Sequence, residues 1–316
     1  MSGLTLTAGL SFSGAFTFTE APIEAAWFGG GGSDGTSSYS TVDRITFATD
    51  TATATVRGPL SLARSGLAAA GNTTDGWFGG GFFWPYDFSN VQRITYATDT
   101  ATASVRGPLS GAKYRLAAAG NSDYGWFGGG QANGVTLSTV DRITYATDTA
   151  TASVRGPLSV NKQYLAAAGN DTDGWFGGGS PGPVSTVSRI TYATDTATAS
   201  VRGPLSSANR YLAAAGNQTD GWFGGGFPNY STVDRITYAT DTATASVRGP
   251  LSVGRYKLAA AGNTTDGWFG GGQVSGLGDA VSIVDRITYA TDTTTASVRG
   301  PLSLARNLLA AASGIQ

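Results

Sequence analysis

"LLAAAS", at residues 308–313, is half of a pattern that the other copies in the chain complete. Elsewhere an alanine run such as "YLAAAGN" (211–217) leads within a few residues into "WFGGG"; no WFGGG follows 308–313, and the first WFGGG, at 27–31, has no alanine strand of its own before it. The two halves belong together. If the final segment hydrogen-bonds beside "AAWFGG" (25–30), the chain closes on itself, and a closed ring has none of the exposed strand edges of an open array. A solenoid needs capping ends and gains nothing from this permuted start.

Indexing on the tryptophan of WFGGG gives Trp27, Trp77, Trp126, Trp175, Trp222 and Trp268, spaced 46 to 50 residues apart. Each period holds four strand-like pieces, for instance "YLAAAGN" (211–217), "GWFGGG" (221–226), "DRITYAT" (234–240) and "ATASVRG" (243–249), parted by Asn/Asp/Gly/Thr turns. The expected fold is all-β: a six-bladed β-propeller of four-stranded antiparallel blades over residues 25–316, with an N-terminal β arm over residues 1–24. The outer piece is nearly invariant. "DRITYATDTATASVRGPLS" fills 141–159 and returns letter for letter at 234–252. A hairpin centred on Asp241-Thr242 pairs Ile236 with Val247, Thr237 with Ser246 and Tyr238 with Ala245. It also sets Arg235 across from Arg248, a like-charge pair that calls for an intramolecular carboxylate in preference to a bound anion.

Composition narrows the chemistry. The chain has 47 glycines, 13% charged residues, no Cys and no His, which removes disulfides, thiolate zinc sites, thiol nucleophiles and the commonest general base. The only glutamates are Glu20 and Glu24, and the aspartates sit in repeated turns, so no carboxylate pair of glycosidase type stands out. No enzyme activity, cofactor or metal is expected. The triple glycines precede no helix and no G-x-x-x-x-G-K-[ST] is present, so close blade packing explains them better than phosphate binding; "GNTTDG" has too few carboxylates for calcium. A formal net charge of −1 gives no overall pull toward nucleic acid. The opening "MSGLTLTAGLSFSGAF" alternates polar with apolar residues and has no basic n-region, so it reads as a strand and neither as a secretion signal nor as a membrane span.

The repeat resembles the kelch unit. WFGGG supplies an apolar strand ending in glycines, Tyr96, Tyr145, Tyr192, Tyr238 and Tyr289 match the aromatic before a turn (Phe47 in the first copy), and "GPLS" leading to a Lys or Arg matches the link. The tryptophan expected after the turn is alanine here, as at Ala103, and tryptophan stands beside the glycines instead. The resemblance spans about residues 25–316 and implies a binding scaffold more than a catalyst.

In such blades the loops after the second and fourth strands share one face of the disc. These are the loops that vary: "FFWPYDFSN" (82–90), "QANGVTLS" (131–138) and "FPNY" (227–230) after second strands, and "SGAKYR" (110–115), "SVNKQY" (159–164) and "SVGRYK" (252–257) after fourth strands. Phe82, Phe83, Trp84, Tyr86 and Phe88 form an aromatic loop suited to stacking on sugars or anchoring a protein interface. Lys113, Tyr114, Arg115, Lys162, Arg210, Tyr230, Arg255 and Lys257 are the other candidate binding residues, with the basic ones expected to ring the axial mouth. The opposite face carries twelve turn aspartates and no Lys or Arg, so the disc is expected to be electrostatically two-sided.

Residues 4–19 alternate strictly, with Leu4, Leu6, Leu10, Phe12, Phe16 and Phe18 on one face and Thr or Ser on the other. A strand of that length outside a closed ring is expected to pair with another subunit or a host particle, the alternative being that it folds along the side of its own propeller. An arm joined to a displayed, self-similar, Cys-free β domain resembles in its organisation the virion structural proteins of phages, such as decoration or tail-appendage proteins. The expected role is therefore non-enzymatic display on a virion surface, with other virion proteins or copies of itself as partners through the arm. A lectin-like adhesin that binds a host surface glycan or protein through the variable face is the alternative.

Overall fold

The computed structural model describes residues 23–33, 37–274 and 280–314. Six four-stranded antiparallel sheets make a closed six-bladed β-propeller. The first blade joins the two ends of the chain: Ala310–Ser313 is its innermost strand, followed outward by Ala25–Gly29, Val42–Thr46 and Thr55–Arg57. Trp27 pairs with Ala312 and Phe28 with Ala311, the closure expected from LLAAAS. The other five blades repeat this order with inner strands Ala68–Gly71, Ala117–Gly120, Ala166–Gly169, Ala213–Gly216 and Ala259–Gly262. The anchoring-arm positions Leu4, Leu6, Leu10, Phe12, Phe16 and Phe18 lie outside the described residues.

The outer hairpin is the one place where the expected register fails. Arg235 pairs with Ser246, Asp234 with Val247 and Val233 with Arg248, a slip of two residues from the sequence reading. Tyr238–Thr240 leaves the strand as a 3-10 turn, which lengthens the connection and moves the pairing toward the strand ends. The two arginines therefore never face each other. They converge on a carboxylate from the next blade: Asp292 Oδ2 lies 3.1 Å from Arg235 Nη1 and 3.4 Å from Arg248 Nε, and it accepts the indole N–H of Trp222 at 2.8 Å. Tyr289, three residues before Asp292, stacks on the Trp222 ring with 3.8 Å between centroids and 6° between planes.

This clasp recurs at every blade junction, including the closing one, where Trp268, Arg286 and Arg299 meet Asp50 and Trp268 stacks on Phe47. It explains the near-verbatim outer segment. Each copy gives an aromatic ring and an aspartate to the preceding blade while offering two arginines to the following one, so every copy must match two neighbours at once. The six WFGGG tryptophans are buried, as are the six clasp aspartates. An ion pair this enclosed is held in place by hydrogen bonds to both charges, and removing one partner strands the other.

The closing blade departs from the repeat in a coupled way. In the second blade, a Cβ on Gly71 would meet the Tyr96 hydroxyl at 2.6 Å and one on Gly76 would meet it at 2.9 Å. The first blade has Ser313 and Ala26 at these two positions, paired with each other, and Phe47 in place of tyrosine. Loss of the phenol oxygen makes room for two added Cβ atoms, so three departures form one packing solution. The WFGGG glycines also answer to packing: a Cβ on Gly79 would meet the Phe127 ring of the next blade at 3.0 Å, while Gly80 and Gly81 take φ of +70° and +105°. Such left-handed backbone favours glycine.

Candidate functional site at the axial mouth

Each fourth-to-first loop ends in a triplet just before the Leu-Ala-Ala-Ala strand: Arg64-Ser65-Gly66, Lys113-Tyr114-Arg115, Lys162-Gln163-Tyr164, Asn209-Arg210-Tyr211, Arg255-Tyr256-Lys257 and Arg306-Asn307-Leu308. The three positions do different work. The first points down and is buried. Lys113 is 2% exposed and Lys162 and Arg255 are 0% exposed, as are Arg64 and Arg306. Lys113, Lys162 and Arg255 therefore do not ring the mouth as the sequence suggested; they tie the loop to the blade beneath it. Lys113 Nζ donates to the Phe127 carbonyl and pairs with Asp141 at 3.1 Å, and Arg255 donates to the Phe269 carbonyl and pairs with Asp285 at 2.7 Å. Lys162 Nζ donates to the carbonyls of Phe176 and Thr186, with Ser188 where a carboxylate stands in those other blades. Burial lowers the Lys162 ammonium to about 7, and burial outweighs Asp141 in lowering that of Lys113.

The second position of all six triplets forms a bridge or backbone bond to a loop after a second strand, among them Ser65 with Phe82, Tyr114 with Gln131, Tyr256 with Gln273 and Arg210 with Phe227. The third position lies at the mouth in left-handed backbone, at φ +61° for Arg115, +57° for Tyr164, +62° for Tyr211, +60° for Lys257, +54° for Leu308 and +65° for Gly66. Their amides form a closed circle of six hydrogen bonds, in which Arg115 N–H donates to Gly66, Tyr164 to Arg115, Tyr211 to Tyr164, Lys257 to Tyr211, Leu308 to Lys257 and Gly66 to Leu308, at 2.6 to 2.8 Å. Non-glycine residues in this backbone region are strained and uncommon. Five in one circle show the tertiary ring overriding local preference. The circle opens onto an axial hollow of about 110 Å³ walled by these residues and the alanines of the inner strands.

The side chains at this mouth are not evenly spread. Tyr164 and Tyr211 lie with ring centroids 3.8 Å apart, and Arg115 sits between the rings of Tyr114 and Tyr164 at 4.5 and 4.4 Å. Arg115 Nη1 also donates to the side-chain oxygens of Gln131 and Gln163. On the far side of the tyrosine pair, Lys257 lies over Tyr256 and Tyr211 and donates to Gln273 at 2.9 Å, and Arg210 lies over Phe227 at 4.8 Å. Burial, helped by the nearby Arg115 charge, lowers the Lys257 ammonium. Burial, with the hydrogen bond to Tyr211 next, raises the Tyr164 phenol. Gly66 and Leu308 leave the remaining arc bare of such groups.

The aromatic loop of the second blade borders this cluster. It forms a small hairpin of Phe82–Phe83 and Tyr86–Asp87. Phe82 stacks on Tyr114 at 5.0 Å and Phe88 lies against the Arg64 guanidinium, so both turn inward. Phe83, Trp84 and Tyr86 face solvent, with Trp84 73% and Tyr86 66% exposed. Tyr230 is exposed on the fifth-blade loop. Tyr164, Tyr211, Tyr256, Phe227 and the three glutamines were not among the sequence candidates. Aligning the loops on Leu-Ala-Ala-Ala would have put the first two in the same column as Arg115 and Lys257.

The opposite face is less charged than its twelve aspartates suggested. Asp50, Asp99, Asp148, Asp195, Asp241 and Asp292 are consumed in the clasps, and Asp75, Asp173, Asp220 and Asp266 each lie beside the third-strand arginine of their own blade, as in the 3.4 Å contact of Arg93 with Asp75. Pairing cancels most of the expected two-sided field. No protein-family model matches the chain and no curated protein matches it, so the kelch resemblance rests on the motifs alone.

Proposed function

We propose that this six-bladed β-propeller is a non-enzymatic display protein, kelch-like in its repeat, that holds a variable binding face on a rigid ring, with residues 1–24 as the anchor to a phage particle. The observation that carries the reading is the division of labour between the faces. On one, repeated charges are spent on joining blades; on the other, loops that differ from blade to blade leave cations and aromatic rings at the surface. The sequence of the arm supports the particle assignment through its strict alternation of apolar residues with Thr or Ser, a pattern suited to strand addition. Deleting residues 2–20 is expected to abolish incorporation into particles while leaving a soluble folded ring. Undiminished incorporation overturns the anchor.

The exposure of Phe83, Trp84 and Tyr86 together favours a second reading, a lectin-like adhesin whose aromatic loop packs on sugar rings and gains strength from many copies on one surface. A glycan array probed with the intact protein and with Trp84→Ala separates the two. Signal that is lost in the variant supports the adhesin, and a blank array leaves the structural role alone.

A further inference from the structure

Fifteen of the twenty basic side chains make an ion pair with an aspartate. Among the described residues, five have no carboxylate within ion-pair distance. Arg64 and Lys162 are two of these, buried against backbone carbonyls. Of the other three, Arg115 and Lys257 line the axial mouth on either side of the Tyr164–Tyr211 pair, and Arg210 lies beside it over Tyr211 and Phe227. A protein that pairs fifteen of its cations with aspartates has kept two at one opening and a third beside it.

We infer that this mouth is a binding site for the carboxylate-bearing sugar at the end of an acidic saccharide, inserted along the propeller axis; the inference rests on the reading of the variable face as a binding surface. Arg115 and Lys257 stand on either side of the tyrosine pair and would take the carboxylate, charge-assisted hydrogen bonds being the strong ones. The glutamine oxygens that accept their hydrogen bonds hold both cations in place without neutralising them. The tyrosine faces are taken by each other and by the flanking cations, so the ring edges and hydroxyls of the pair are what meet a pyranose ring, and Gln131, Gln163 and Gln273 bring amides suited to hydroxyl groups. The hollow is an axial cup closed all round by backbone hydrogen bonds, which fits a chain terminus. An acidic peptide running across the face would need an open groove. The arc at Gly66 and Leu308 leaves an entry side free of bulky polar groups.

The chain itself supplies the control substitutions. Glycine and leucine already occupy this backbone position at 66 and 308, so Arg115→Gly and Lys257→Leu place residues that the ring is known to carry. Titrating the full-length protein with sialyllactose, with oligogalacturonate and with the methyl ester of the latter tests the site. We expect one of the two acids to bind, the ester to bind at least about tenfold more weakly, and the double variant Arg115→Gly/Lys257→Leu to lose about tenfold or more while Trp84→Ala does not. Which acid binds distinguishes a sialic-type terminus from a uronate. The proposal is overturned if neither acid binds, if ester and acid bind alike, or if polyglutamate binds better than both. It is also overturned if Trp84→Ala alone abolishes binding that the double variant keeps; that last outcome moves the site to the aromatic loop and leaves the variable face intact as a binding surface.

Discussion

The blade junctions and the axial mouth use the same residue types, arginine and tyrosine beside other aromatics, to opposite ends. At the junctions each guanidinium pair shares one buried aspartate and each indole donates to the same oxygen, so every guanidinium faces a carboxylate and the geometry repeats six times. At the mouth the cations lie over aromatic faces and amide oxygens, uncompensated, and the six mouth positions carry a glycine, an arginine, two tyrosines, a lysine and a leucine instead of one repeated residue. Repetition marks the residues that hold the ring; departure from repetition marks those free to serve another purpose.

The sharpest way to break this contrast is Asp241→Ala. It strands Arg189, Arg202 and the Trp175 indole at one junction and is expected to cost about 3–5 kcal/mol, read as a fall in the urea midpoint. A midpoint unchanged within error shows that the clasp is not what joins the blades.

Next in size is a pH effect under the mouth. Lys162 titrates at about 7 in the folded ring against 10.5 when exposed, so between these values the unfolded chain binds the extra proton and stability rises with pH, while below 7 both states are protonated and this contribution is flat. The slope approaches about 1.4 kcal/mol per pH unit inside that window. Urea midpoints at pH 6, 7.5 and 9 are expected to climb more steeply in the parent than in Lys162→Met. Parallel curves refute a depressed Lys162. The buried tyrosines, raised above their ordinary value of 10, act with the opposite sign only at higher pH.

A smaller effect tests the coupled closure. Phe47→Tyr should cost about 1–3 kcal/mol by forcing a hydroxyl against Ala26 and Ser313, and most of that loss should return when both are changed to glycine in the same chain. Failure of the glycine pair to restore stability shows that the three departures are independent.

Least of all is expected from the mouth. Arg115→Gly/Lys257→Leu should shift the midpoint by no more than about 0.5 kcal/mol, because neither residue belongs to a clasp and glycine relieves left-handed strain. A large loss would place these residues with the structural set.

The strand count, the blade repeat and the closure by residues 308–313 were all legible in the sequence, because antiparallel pairing and burial leave period-two and turn signals that local reading recovers. The register of the outer hairpin was not, since Tyr238 looks like a strand residue until its ring is seen stacked on the tryptophan of the preceding blade, which pulls Tyr238–Thr240 into a turn. Of the basic loop residues, Arg115 and Lys257 line the mouth whereas Lys113, Lys162 and Arg255 are buried beneath it, because the first and third positions of a triplet point to opposite sides of the loop. By itself the sequence determined which residues repeat and so which blade each belongs to. Only the tertiary structure decided which charges meet, because the partners in every clasp sit roughly one period or more apart, and ring closure selects among many equivalent copies the one that lies next in space.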